Sequence, residues 1–161
     1  MVKIYFDMDG TVYDFYGCAT WLEDLEAERT TPYEIGSFLG DYDSFLSICR
    51  RLERDFEVEF GVITWLSRSG SKDFMERITT VKKQWCRENL PFISDINVVP
   101  YGSPKQNYIK KKSKRMILLD DNENVCSSWT TRKARLAYKV DNGNVVEQLQ
   151  LIYSQLRDGT L

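Results

Sequence analysis

The sequence contains no histidine. That absence removes Ser-His-Asp and Cys-His catalysis, histidine-ligated zinc and histidine general bases. Acid–base chemistry is left to carboxylates, lysine, tyrosine or cysteine. Cysteine is sparse: Cys18, Cys49, Cys86 and Cys126 are scattered, and no two form a C-x-x-C pair. Reduced thiols in a cytosolic fold are expected, rather than a zinc or redox centre. No apolar run approaches the ~20 residues of a membrane-spanning helix. The start, Met1-Val2-Lys3-Ile4-Tyr5-Phe6, is too short and turns acidic too soon for a signal peptide. These features predict a cytoplasmic protein. A strong excess of one charge is also missing, and the net charge of -2 gives no global attraction to nucleic acid or an anionic membrane. There is no internal repeat and no low-complexity segment.

What is present fits one globular domain, or a domain carrying a small insertion: 161 residues, 42% hydrophobic and 29% charged. Strand-like and helix-like segments alternate. Lys3 to Phe6 reads as a short apolar strand that runs into Asp7-Met8-Asp9-Gly10. Residues 14–56 are acidic and aromatic, with helical spacing at Phe45, Ile48, Cys49 and Leu52. They read as a small, mainly helical insertion. Further strands are expected near Val58 to Thr64, Ile96 to Val99, Arg115 to Leu119 and Ala134 to Val140. Between the second and third, Phe74, Ile78, Val81 and Trp85 share one helical face. Pro104 suits the first turn of a helix opened by Lys105. The last helix reads as capped by Asn144 with Glu147 three residues on, and buries Val145, Leu149, Ile152 and Leu156. Alternation of this kind predicts an α/β fold: a three-layer, Rossmann-like parallel sheet with helices on both faces. Ligands bind such sheets at the carboxyl ends of the strands. Those ends carry Asp7, Thr64, Tyr101 to Lys105, and Asp120-Asp121.

Each group has a chemical and a plain reading. In Asp7-Met8-Asp9-Gly10-Thr11, one carboxylate can attack phosphorus while the other handles the leaving-group proton. A turn with two solvated aspartates is the plain alternative. A calcium loop fits less well, because Val12 stands where it wants glycine. Asp120-Asp121 end a buried strand, where paired carboxylates need a neutralising partner such as a hard cation. A helix N-cap is the other reading. Lys105 is either a charge compensating carboxylates and phosphate or a surface lysine. Thr64, with Ser67 as its rival, either bonds a phosphate oxygen or reflects β-propensity.

Taken in order, Asp7-Met8-Asp9-Gly10-Thr11-Val12 after the first strand, a hydroxyl ending the second, a lysine, and Leu118-Leu119-Asp120-Asp121-Asn122 resemble the haloacid-dehalogenase-like hydrolase superfamily. The resemblance covers the chain from Lys3 to about Val125. It implies a core domain of 1–13 and 57–161, with 14–56 as a small helical cap. It also implies a magnesium-dependent phosphatase. Asp7 would form an aspartyl phosphate, and Asp9 would serve as acid and then base. Thr64 and Lys105 would bind phosphate. Asp7, the backbone carbonyl of Asp9, Asp120 and Asp121 would hold Mg2+. The second aspartate, Asp9, favours phosphoryl transfer over dehalogenation.

The cap aromatics Phe15, Tyr16, Trp21, Tyr33, Phe38, Tyr42 and Phe45 and the run Tyr101 to Lys105 resemble the deoxyribonucleotidase branch. That makes a nucleoside monophosphate the leading substrate expectation. Packing of the cap's own core also accounts for the aromatics. Lys110 to Arg115 reads as a solvated helix end, or as a contact for a nucleic-acid-end phosphatase. A phosphoprotein phosphatase and a non-catalytic binding protein that keeps the fold complete the alternatives.

Overall fold

The computed structural model describes residues 1–109, 113–131 and 134–161. Five strands, β1 (Val2–Phe6), β2 (Glu59–Trp65), β3 (Ile93–Val99), β4 (Arg115–Asp120) and β5 (Arg135–Lys139), form one all-parallel sheet in the order β3-β2-β1-β4-β5. The central strands β1, β2 and β4 are nearly continuous apolar runs because both of their faces are covered. On one face Ile4, Phe6, Phe60, Val62, Ile117 and Leu119 pack against helices α3 (Tyr42–Phe56), α4 (Lys72–Asn89) and α6 (Val145–Arg157). The other face, with Tyr5, Ile63, Met116 and Leu118, packs against Val125 and Trp129 of α5 (Glu123–Trp129). The expected three-layer α/β architecture is therefore present. Among the described residues no helix is long and apolar enough to cross a membrane.

Several local expectations change. Segment 14–56 is not one separate unit. Its α3 buries Phe45, Ile48, Cys49 and Leu52 in the main core, and Phe45 meets the Phe6 ring of the central strand edge-on at 5.3 Å. Only the part before α3, with the short helices α1 (Trp21–Glu26) and α2 (Thr31–Glu34), sits beside the strand ends that bear the aspartates. In α4 the buried stripe passes through Lys82 rather than Val81, which is half-buried. Lys105 opens a single 3-10 turn, Lys105–Tyr108, preceded by Pro104. Asn144 does not cap α6 through its side chain, whose Oδ1 accepts from the Asp141 amide at 2.9 Å. Of the basic run, Lys110 to Lys112 lie outside the described residues, and Arg115 opens β4.

The sheet order reverses at β1, whose neighbours are β2 on one side and β4 on the other. Such a switch point opens a crevice at the carboxyl ends of the strands. The register pairs Phe6 with Leu119, and the Asp7 amide donates to the Leu119 carbonyl at 2.8 Å. Asp7 and Asp120 are thereby set side by side at the crevice.

Candidate active site

The loop after β1 is wound tightly. The amides of Thr11, Val12 and Tyr13 all donate to the Met8 carbonyl, at 3.2, 3.1 and 2.9 Å. Gly10 takes a left-handed φ of 77°, and a Cβ there would fall 2.5 Å from Asp121 Oδ2. Glycine is thus required for both conformation and space. Thr11 Oγ1 accepts from the Asp121 amide at 3.1 Å, tying this loop to the one after β4.

After β4 the helix-capping role falls to Asn122, whose Oδ1 accepts from the amides of Asn124 and Val125 at 3.0 and 3.3 Å. Neither Asp120 nor Asp121 is the N-cap of α5. Instead, Asp7, Asp120 and Asp121 each present a carboxylate oxygen within 4.8 Å of the others. Lys105 reaches the same place from the loop after β3. Its Nζ donates to Asp7 Oδ1 at 2.6 Å and to Asp120 Oδ2 at 2.7 Å. The Trp65 indole holds that loop by donating to the Ser103 carbonyl at 2.9 Å, and its ring lies 5.2 Å from the Lys105 ammonium.

Asp9 is turned elsewhere, and its carboxylate is not part of the three-carboxylate cluster. Its Oδ2 accepts from Lys82 Nζ at 2.6 Å, and Lys82 also donates to Thr64 Oγ1 at 3.0 Å and to the Trp65 carbonyl at 2.7 Å. Asp9 Oδ1 is buried and, among the described residues, has no hydrogen-bond partner. The sequence reading did not select Lys82. Its one signal there was a lysine four residues from both Ile78 and Cys86 on an amphipathic helix.

The electrostatics follow from burial and crowding. Burial, with the charge of Asp7 added, pushes the Asp120 carboxyl up to about 6 despite Lys105. Burial together with Asp7 and Asp120 pushes Asp121 up to about 7. Burial raises Asp9 too, with Lys82 opposing and Asp7 adding to the rise. For Lys105, burial disfavours the charge, but Asp7 and Asp120 outweigh it and hold the ammonium above its usual range. Protons are thus retained where negative charge is crowded, which is the condition a cation relieves. The all-oxygen donor set of Asp7, Asp120 and Asp121 fits a hard divalent ion.

A cavity of about 610 Å³ opens over these groups, and Thr64, Ser67 and Tyr101 line it together with Asp7, Asp9 and Lys105. Its aromatic wall comes from both sides. Phe15 packs against Tyr33 at 4.8 Å and Trp21 at 5.6 Å, while Trp65 and Tyr101 lie 5.1 Å apart. Tyr16 and Tyr101 keep more than half of their surface exposed, at 56% and 53%. All the sequence-predicted site residues meet at this crevice. The fold and its edge define a doubly wound α/β domain with a carboxylate–lysine centre at the switch point. Neither a scan against protein-family models nor a search of curated proteins finds a match to the chain.

Proposed function

We propose that the protein is a magnesium-dependent phosphatase of the haloacid-dehalogenase-like type, acting on a phosphate monoester through an aspartyl-phosphate intermediate. The observation that carries this reading is the Lys105 ammonium set between Asp7 and Asp120, with Asp121 beside them, at the floor of an open cavity. Lys105 commits Asp7 Oδ1, so Oδ2 is the attacking oxygen. As the Asp7–phosphorus bond forms, the ester P–O bond breaks and the leaving oxygen takes a proton from Asp9. Water then attacks the phosphorus, Asp9 receives its proton, and the acyl-phosphate P–O bond breaks to free phosphate. The burial that raises the Asp9 carboxyl favours the protonated form that the first step uses. Lys105 offsets the charge of the incoming phosphoryl group, and Thr64 and Ser67 offer hydroxyls to its oxygens. Magnesium held by Asp7, Asp120 and Asp121, with the Asp9 carbonyl, supplies Lewis-acid stabilisation of the phosphoryl charge.

The aromatic wall favours an ester with a flat, stackable group, and a nucleoside monophosphate fits that description. The test is phosphate release from nucleoside, deoxynucleoside and simple alkyl and aryl phosphates, with magnesium or with excess chelator. Release should need the metal, disappear in Asp7→Asn with the fold retained, and be highest with nucleotides. Turnover that survives Asp7→Asn would sink the proposed nucleophile. A preference for simple esters would remove the nucleotide.

A further inference from the structure

Lys82 is unusual for a helical lysine because none of its side chain is exposed. Removing an ammonium from water is costly unless its donors are satisfied. An ammonium has three N–H donors, and Lys82 spends them on three acceptors. Two come from the end of β2, Thr64 Oγ1 and the Trp65 carbonyl, and the third is Asp9 Oδ2 from the loop after β1. The Tyr33 ring of α2 lies 4.9 Å from the ammonium. A single side chain from α4 therefore joins both loops and the short-helix segment next to the cavity.

The polarity of these bonds matters. Thr64 Oγ1 accepts from Lys82, so its own proton remains available for an anion. Asp9 Oδ2 is held by Lys82, so Oδ1, which lacks a partner among the described residues, is the oxygen left to carry a proton. We propose that Lys82 is a positioning residue that fixes Asp9 for proton transfer to the leaving group and Thr64 for donation to the phosphoryl oxygens, an inference that rests on the phosphatase reading of this site. Lys82 does not touch the reacting atoms. It acts by holding the two side chains that do.

Leaving-group acidity separates this role from a merely structural one. A nitrophenolate departs without needing a proton, whereas an alkoxide needs one. Lys82→Met, with magnesium present, is therefore expected to lower kcat/KM for an alkyl phosphate by about 10²-fold or more, the size of a lost general acid. For p-nitrophenyl phosphate the expected loss is below about tenfold, because protonation contributes little there. In an Asp9→Asn background the same substitution should add no further leaving-group discrimination. Circular dichroism and thermal melting report whether each variant folds. If Lys82→Met does not fold, the comparison is made between Asp9→Asn and the Asp9→Asn, Lys82→Met double variant, which removes the charge pair together. Equal losses on both esters in a folded variant would overturn the positioning role alone. Failure of both variants to fold would assign Lys82 to stability and overturn it as well. Wild-type protein inert toward every ester would overturn the phosphatase reading and this inference with it.

Discussion

Lys105→Met tests whether the carboxylate cluster depends on its lysine. Methionine keeps the length of the side chain and removes the charge. Lys105 and Asp120 are almost fully buried, and Asp7 is nearly so, with side-chain exposures of 2%, 1% and 10%. The substitution deletes contacts of 2.6 and 2.7 Å together, leaving Asp7 and Asp120 facing each other with Asp121 within 4.8 Å. Breaking a buried pair by removing one partner typically costs about 3–5 kcal/mol. At about 2–4 °C per kcal/mol for a chain of this size, the melting temperature should fall by roughly 6–20 °C. Differential scanning calorimetry at neutral pH in excess chelator reads this directly. Added magnesium should recover part of the loss, because a ligand at 100 times its Kd stabilises by about 2.7 kcal/mol. A variant that melts within about 2 °C of wild type in chelator would show that Lys105 does not offset the cluster.

Two further outcomes are expected. Without metal, the native Asp120 and Asp121 carboxyls lie at about 6 and about 7, above the roughly 3.9 of an unfolded aspartate, so the native state holds protons that the unfolded chain has released. Their stabilising contribution is full below about pH 4 and is lost as pH rises through about 6 to 7. In chelator, Asp121→Asn should therefore lose less stability than wild type between about pH 5 and pH 8, and parallel melting curves across that range would refute the assignment. The second concerns Glu28, whose carboxylate accepts from the Ser71 amide and from Ser71 Oγ, both at 2.6 Å, at the start of α4. Arg77 donates to the Glu28 carbonyl at 3.1 Å. Glu28→Ala should speed amide hydrogen exchange in α1 and α2 and leave β1 and β4 unchanged, while unaltered exchange in those helices would show that Glu28 is not their tether.

The sequence disclosed those site residues that a parallel sheet delivers to one edge. Asp7 follows β1, Asp120 ends β4 and Thr64 stands one residue before the end of β2, so naming the strands locates the residues, and Asp121 comes with its neighbour. Lys105 was legible for a related reason, since it follows the turn after β3. Lys82 escaped because helical periodicity alone does not choose between positions 81 and 82. Both lie three or four residues from Ile78 and from Trp85, and valine is the ordinary occupant of a core face. What decides is the partner, Asp9, 73 residues away in the chain. The placement of α3 was hidden in a similar way, because its apolar face reads the same against a cap core or against the sheet, and long-range contacts such as Phe45 with Phe6 distinguish them.

The same long-range pairing gives the site a charge pattern that composition could not reveal. Lys105 serves Asp7 and Asp120, Lys82 serves Asp9, and Asp121 has no lysine of its own among these contacts. With Asp9 protonated for the first step and Asp7, Asp120 and Asp121 ionised, the two ammoniums leave one negative charge at the crevice. A phosphate dianion approaching that remainder would be repelled. A divalent cation has the charge to cancel it, and the carboxylates crowded most closely are the ones whose oxygens converge. If the proposed magnesium binds there, its effect should be largest on phosphate affinity and smaller on neutral aromatic ligands of the same cavity. Equilibrium binding of inorganic phosphate and of an uncharged nucleoside, each with magnesium and with chelator, would measure that difference. Equal metal dependence for the two ligands would mean that the leftover charge is not what the metal answers.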